Sequence, residues 1–335
     1  MPELETTYLG LDLKNPLMAG ASPLSKKADM VCRLEDAGAS TVIMYSLFEE
    51  QIEHDSRALD YFLNRGTESF AEAMTYFPDL NNYNVGPDDY LALIQKLKSK
   101  VEIPIIASLN GFGPGGWVET ARKIEQAGAD ALELNVYFLA ADLETSSQEL
   151  EESYIELVSD VRSQVHIPLA VKLSPYFSAL PNLAQNLVRA GANGFVLFNR
   201  FMQPDLDIET LVVEPRAEPS TSSDLRLPLR WVSILSGRIE ADLSLSGGVH
   251  NATDVVKAVM AGADSVQMVS ALLTHGPDHL KETLDALKAW MDTYEYASVK
   301  QMQGNMSQKN VKDPSAFERA QYMRMLTSMD DRLPD

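Results

Sequence analysis

The sequence predicts an α/β protein of the (β/α)8, or TIM, barrel class, and three observations carry that prediction. An Ala-Gly-Ala triplet recurs at residues 37–39, 127–129, 190–192 and 261–263, each time after an amphipathic segment and before a short apolar run. Glycine suits the left-handed position that ends a helix, and small alanines let that end pack closely. Eight apolar runs of five or six residues alternate with helical periodicity, as barrel staves should. Two connections, residues 46–90 and 199–230, are too long for simple βα units. A doubly wound sheet is the rival, but it has fewer strands and often a Gly-rich turn after the first, which is absent here.

Residues 1–15 form an N-terminal strand or hairpin segment ahead of the barrel. Strand one is 16–20, followed by the helix ADMVCRLEDAGA; strand two is 41–45, followed by the first long connection. The helix DYLALIQKLKSK leads to strand three at 104–109. Strands four, five and six are 131–135, 168–173 and 194–198. The second long connection holds RAEPSTSSDLRLP. Strand seven is 242–246, the helix TDVVKAVMAGA follows, and strand eight is 265–269. A C-terminal tail, 300–335, carries QGNMSQ and a helix from Pro314. With no composition shift along it, the chain reads as one domain of 335 residues. Both long connections leave the C-terminal ends of their strands, so they read as lids or substrate loops.

Composition excludes several function classes. A net charge of -20 argues against a nucleic-acid or anionic-membrane partner, because phosphate backbones are held by Lys and Arg. No apolar run is long enough to cross a bilayer. One cysteine permits no intramolecular disulfide, and with no signal-peptide pattern this points to the cytoplasm.

On a barrel, polar residues at C-terminal strand ends face the site. Those ends offer Ser22, Tyr45-Ser46, Ser108 to Asn110, Asn135, Lys172, Asn199, Ser246-Gly247-Gly248 and Val269-Ser270. The glycine pair after strand seven and the hydroxyl after strand eight fit a phosphate group, since glycine lets backbone N–H groups approach an anion. Lys172 ends the run PLAVK, where its ammonium could form a Schiff base, neutralise a phosphate, or stabilise a reduced flavin. Among the five histidines, His275 and His279 are separated by Gly-Pro, which argues against a metal pair, and no metal site is expected. His166 and His250 read as surface loops, His54 lies in the first long connection, and Cys32 reads as a core thiol.

The segments PLAVKLSPYF, LSLSGGVHNATDVVKAVMAGADSVQMVSALLTHGP, TTYLGLDLKNPLMAGAS and ALELN resemble the dihydroorotate dehydrogenase family, most closely its soluble class 1 members. The resemblance spans about residues 6 to 290. It implies an FMN-binding barrel, a small-molecule substrate and a homodimer. It would place the FMN phosphate at Gly247, Gly248 and Ser270. The flavin ring would lie near Gly20, Ala21, Ser46, Asn135 and Lys172, with Asn199 near ring or substrate. Asn110 and Val269, at the ends of strands three and eight, are counted with that set.

The departures matter equally. Where the family carries Asn-x-Ser-Cys-Pro-Asn, with the Cys removing a C5 proton as hydride leaves C6 for flavin N5, this chain has Phe138 at the base position and Ala140 at the second Asn. The family's Lys after strand two is Tyr45, and its Asn-rich substrate loop is only echoed by LNNYNVG at 80–86. A substitute base would come from Tyr45, Tyr137, Ser46 or His54, and Lys172, Tyr45 and Tyr137 form the candidate catalytic set. Tyr137 and Phe138 would then wall the substrate. The expected activity is an FMN-dependent oxidoreductase resembling dihydroorotate dehydrogenase. Alternatives are a flavin-dependent reductase of another small ring or alkene, a non-flavin Schiff-base barrel enzyme with a phosphate site, and a non-catalytic flavoprotein or one subunit of a larger redox assembly.

Overall fold

The computed structural model describes residues 2–48, 87–111, 117–200, 203–214 and 218–330. All eight anticipated strands are present: β3 (Leu17–Ala19), β4 (Val42–Ile43), β6 (Ile105–Gly111), β7 (Ala131–Val136), β8 (Leu169–Leu173), β9 (Gly194–Leu197), β12 (Asp242–Ser246) and β13 (Ser265–Met268). They hydrogen-bond in parallel in the order β4-β3-β13-β12-β9-β8-β7-β6, and a further β4–β6 pairing closes the ring. A short β5 (Leu47–Phe48) continues the second stave against β6. Closure rules out the doubly wound alternative, which leaves two free edges.

Helices between the strands bury an apolar stripe against the barrel's outer wall. In α1 (Ala28–Asp36) the stripe is Ala28, Val31 and Leu34, at helical spacing. Cys32 packs on the core's margin, half-buried. The four Ala-Gly-Ala glycines all take positive φ, between 94° and 114°, as helix ends require.

Residues 1–15 contribute a hairpin, β1 (Thr6–Tyr8) against β2 (Leu11–Leu13), that closes the N-terminal mouth. Tyr8, Leu9 and Leu13 pack against Met18, Ile43, Ile106, Ala131, Ala170 and Val196, so these strand residues point into the barrel. Alternation then sets the next layer. Gly20, Tyr45, Ser108, Glu133, Lys172 and Phe198 are the residues two steps further up each stave. Strand periodicity therefore aims the polar strand ends at one another.

The second long connection contains an exposed hairpin, β10 (Asp205–Asp207) with β11 (Val212–Glu214), then a 3-10 turn at Ser222–Leu225. The first lies mostly outside the described residues, as do His54 and the segment 80–86. The tail packs on the barrel: the Gly304 and Met306 amides donate to the Val259 and Met260 carbonyls, and Ser307 and Gln308 are buried. The helix expected from Pro314 is a 3-10 turn, Pro314–Phe317, leading into an α-helix at Arg319–Asp330.

Candidate active site

Among the residues around a cavity of about 300 Å³ at the C-terminal mouth are Ala21, Lys172, Asn199, Ser246, Gly247, Gly248, Val269 and Ser270, eight of the residues singled out from sequence. The second long connection reaches the same cavity with Glu218, Pro219 and Ser220. Two further predicted residues stand one contact behind it. Asn199 donates its side-chain amide to Asn135 Oδ1 at 2.8 Å, and Gly20 lies against Val269 and Gln267. Asn110 is paired in register with Asn135 on the neighbouring strand.

The glycine pair is locally required. Gly248 has φ 77°, and a Cβ there would meet the Leu225 amide nitrogen at 2.2 Å. Gly247, which borders the cavity, has φ 96° and open space where its side chain would be. Ser270 Oγ accepts the Ser220 amide at 3.0 Å, and Ser220 Oγ meets His250 Nε2 at 3.1 Å. His250 lies in the loop after β12, as expected, but it is partly buried against Ser220, and burial lowers its pKa. His166 is exposed. His279 donates Nε2 to the His250 carbonyl at 2.7 Å, and its ring packs 4.9 Å from that of His275.

Lys172 is 6% exposed, and its Nζ lies 3.3 Å from Glu133 Oε1. The other Glu133 oxygen accepts Gln267 Nε2 at 2.9 Å. Sequence reading missed Glu133 and Gln267, although each sits inside an apolar strand on the inward face. A charged residue at the centre of ALELN, two before Asn135, was the available signal. The Lys172 side chain is thus held by a buried carboxylate beside the cavity.

The proposed bases fare differently. Burial pushes the Tyr45 phenol up to about 12, with Asp89 adding to the rise. Its hydroxyl is buried with no hydrogen-bond partner among the described residues, and its ring packs edge-on against Tyr90 at 5.1 Å. Burial also raises the Tyr137 pKa, with Tyr176 adding to it. Both shifts run opposite to what a base at neutral pH requires. Ser46 shares a 2.9 Å hydrogen bond with Ser108. Phe138 does not wall the Lys172 cavity. It lines a separate space of about 470 Å³ with Leu150, Tyr154 and Leu157, and Tyr137 is not among the residues around the Lys172 cavity either.

The residues present fit a phosphorylated planar cofactor. A glycine cradle lies at one end of the cavity and a buried cation borders it, while Gln267 Oε1 is a buried acceptor with no partner among the described residues.

Comparison with known proteins bears on the same geometry. The family model for dihydroorotate dehydrogenase matches residues 3–291. A Thermoplasma acidophilum protein named dihydroorotate dehydrogenase B (NAD(+)), catalytic subunit, is 27% identical over 315 residues, covering 91% of this chain and 99% of the relative. An Aeropyrum pernix protein, provisionally named dihydroorotate dehydrogenase A (fumarate), is 30% identical over 227 residues, 66% of this chain and 73% of its own. The chloroplastic dihydropyrimidine dehydrogenase (NADP(+)) of Arabidopsis thaliana is 24% identical over 331 residues, 92% of this chain and 78% of its own. A closed barrel, a polar C-terminal mouth and a match over nearly the whole barrel agree: the chain belongs to the dihydroorotate dehydrogenase family, oxidoreductases acting on CH–CH bonds.

Proposed function

We propose that this chain is a single-domain FMN-dependent oxidoreductase that exchanges hydride with a small dihydropyrimidine-like ring, dihydroorotate being the first substrate to test. The observation that carries the reading is the pairing of a glycine cradle with a buried lysine around one cavity, at Gly247, Gly248 and Lys172. Bound FMN would supply a two-electron acceptor for hydride. Gly247, Gly248 and Ser270 would hold the phosphate through backbone N–H groups and a hydroxyl. Lys172 would set positive charge beside the ring, where negative charge gathers on reduction. Asn135 and Asn199, held together at 2.8 Å, would orient a ring edge or a substrate carbonyl. Gly20, Ala21, Ser46, Asn110 and Val269 would complete the surround. A working place in pyrimidine biosynthesis, in the cytoplasm and as a homodimer, follows from the same reading.

The altered loop favours a second substrate reading. With Phe138 in its own cavity and both tyrosines pushed toward their neutral forms, dihydroorotate meets no thiol, and the Arabidopsis relative's name points to neutral dihydropyrimidines. Anaerobic mixing separates the two. Rapid flavin bleaching by dihydroorotate supports the first reading. Bleaching by uncharged dihydropyrimidines or NAD(P)H, with dihydroorotate inert, supports the second.

A further inference from the structure

We propose that Glu133 is a positioning residue that acts through Lys172, drawing its ammonium toward the barrel interior and moderating the charge presented to the cofactor. The inference rests on the FMN reading above and concerns how that site is tuned.

The geometry is specific. β7 and β13 stand opposite each other in the eight-stave ring, separated by β8, β9 and β12 on one side. The 2.9 Å bond from Gln267 to Glu133 therefore crosses the barrel interior. It occupies one carboxylate oxygen while Lys172 occupies the other. Glu133, Gln267 and Lys172 are 1%, 1% and 6% exposed. Gly20 makes room for this arrangement, because a Cβ there would lie 3.2 Å from Gln267 Oε1 and 2.6 Å from a Val269 methyl.

A buried carboxylate is costly unless it is paired, and apolar residues fill such a space at no loss of stability. The layer directly below, with Ala131, Ala170 and Ile106, is filled in that way. Folding therefore does not call for Glu133. The lysine does: its four-carbon stem is flexible, and one carboxylate anchored by a glutamine fixes where the ammonium sits. The same carboxylate offsets the ammonium's field in a site of low dielectric. Without that charge, the strongest remaining partner for Lys172 is a reduced cofactor carrying negative charge. Glu133 thus holds down the cofactor's reduction potential.

The test is the midpoint potential of FMN bound to the full chain, in the wild type and in Glu133→Gln. Glu133→Gln should raise the potential by an amount equal to a tenfold or greater gain in reduced over oxidised FMN binding, about 30 mV for a two-electron couple. Glu133→Asp keeps the charge at greater distance and should shift the potential less, in the same direction; it carries the test if the Gln variant does not accumulate folded. Beside Lys172→Met, Glu133→Gln should give less than half of its wild-type shift. An unmoved or lowered potential overturns the inference, as does an equal shift in both backgrounds, while FMN binding itself still stands. Failure of the wild type to bind FMN overturns both this inference and the function it refines.

Discussion

The two mouths of one barrel treat their carboxylates in opposite ways, one partly buried and one fully buried. At the N-terminal mouth, Asp264 is met by amides: Oδ2 accepts the Leu243 amide at 2.7 Å and Oδ1 accepts Gln303 Nε2 at 2.6 Å. Burial, with nearby Asp242 adding to it, pushes its pKa up to about 6. At the C-terminal mouth, Glu133 is met by a buried ammonium as well as an amide. The difference teaches which end is built to hold structure and which to hold charge. Neutral donors suffice where a hairpin, an adjoining strand and the tail are tied together. A cation stands beside the cavity that the proposed cofactor would occupy.

Breaking the charged end should give the largest effect. Lys172→Met leaves Glu133 buried without its cation, which costs about 3–5 kcal/mol of stability by urea unfolding. FMN affinity in fluorescence titration should fall at least tenfold. If stability and affinity both stay at wild-type values, the charged end has been misread. Gly248→Ala comes next. Its Cβ must displace the Leu225 backbone from a positive-φ position, at about 1–3 kcal/mol, and FMN binding should weaken with it. Ordinary FMN affinity in this variant would remove the cradle from the account.

The amide-held end should respond to pH. The folded pKa of Asp264, about 6, lies above the usual carboxylate value, so the protonated acid favours the fold. That contribution is fully present below about pH 4 and is lost as pH rises through about 6, amounting to about 3 kcal/mol at most. Unfolding at pH 5 and pH 7.5 should therefore differ less in Asp264→Asn than in the wild type. An unchanged pH dependence would contradict the assignment. Tyr8→Phe should have the smallest effect. The Tyr8 hydroxyl is buried without a hydrogen-bond partner among the described residues, so removing it should shift stability by less than about 1 kcal/mol, in either direction. A larger loss in thermal unfolding would reveal a bond that this reading lacks.

The barrel was legible because its punctuation is local. An Ala-Gly-Ala stop needs only its own helix end, and each of the four glycines took the predicted positive φ. The place of Gly247 and Gly248 at the barrel mouth was legible for the same reason, since it follows from the end of strand seven alone. Glu133 and Gln267 were not, since their partnership spans the barrel and joins residues 134 positions apart, which no local pattern encodes. Nor was the fate of Phe138. Its place in the sequence matches a catalytic thiol, but it borders another cavity together with Leu150 and Tyr154. The pKa values of Tyr45 and Tyr137 depend on burial, which a strand end does not announce.

The most direct measurement is a reconstitution titration of the purified chain with FMN, followed by the visible flavin spectrum. Saturable binding of one FMN per chain is expected, weakened by Lys172→Met and by Gly248→Ala. A wild-type chain that folds but shows no saturable FMN binding would contradict it.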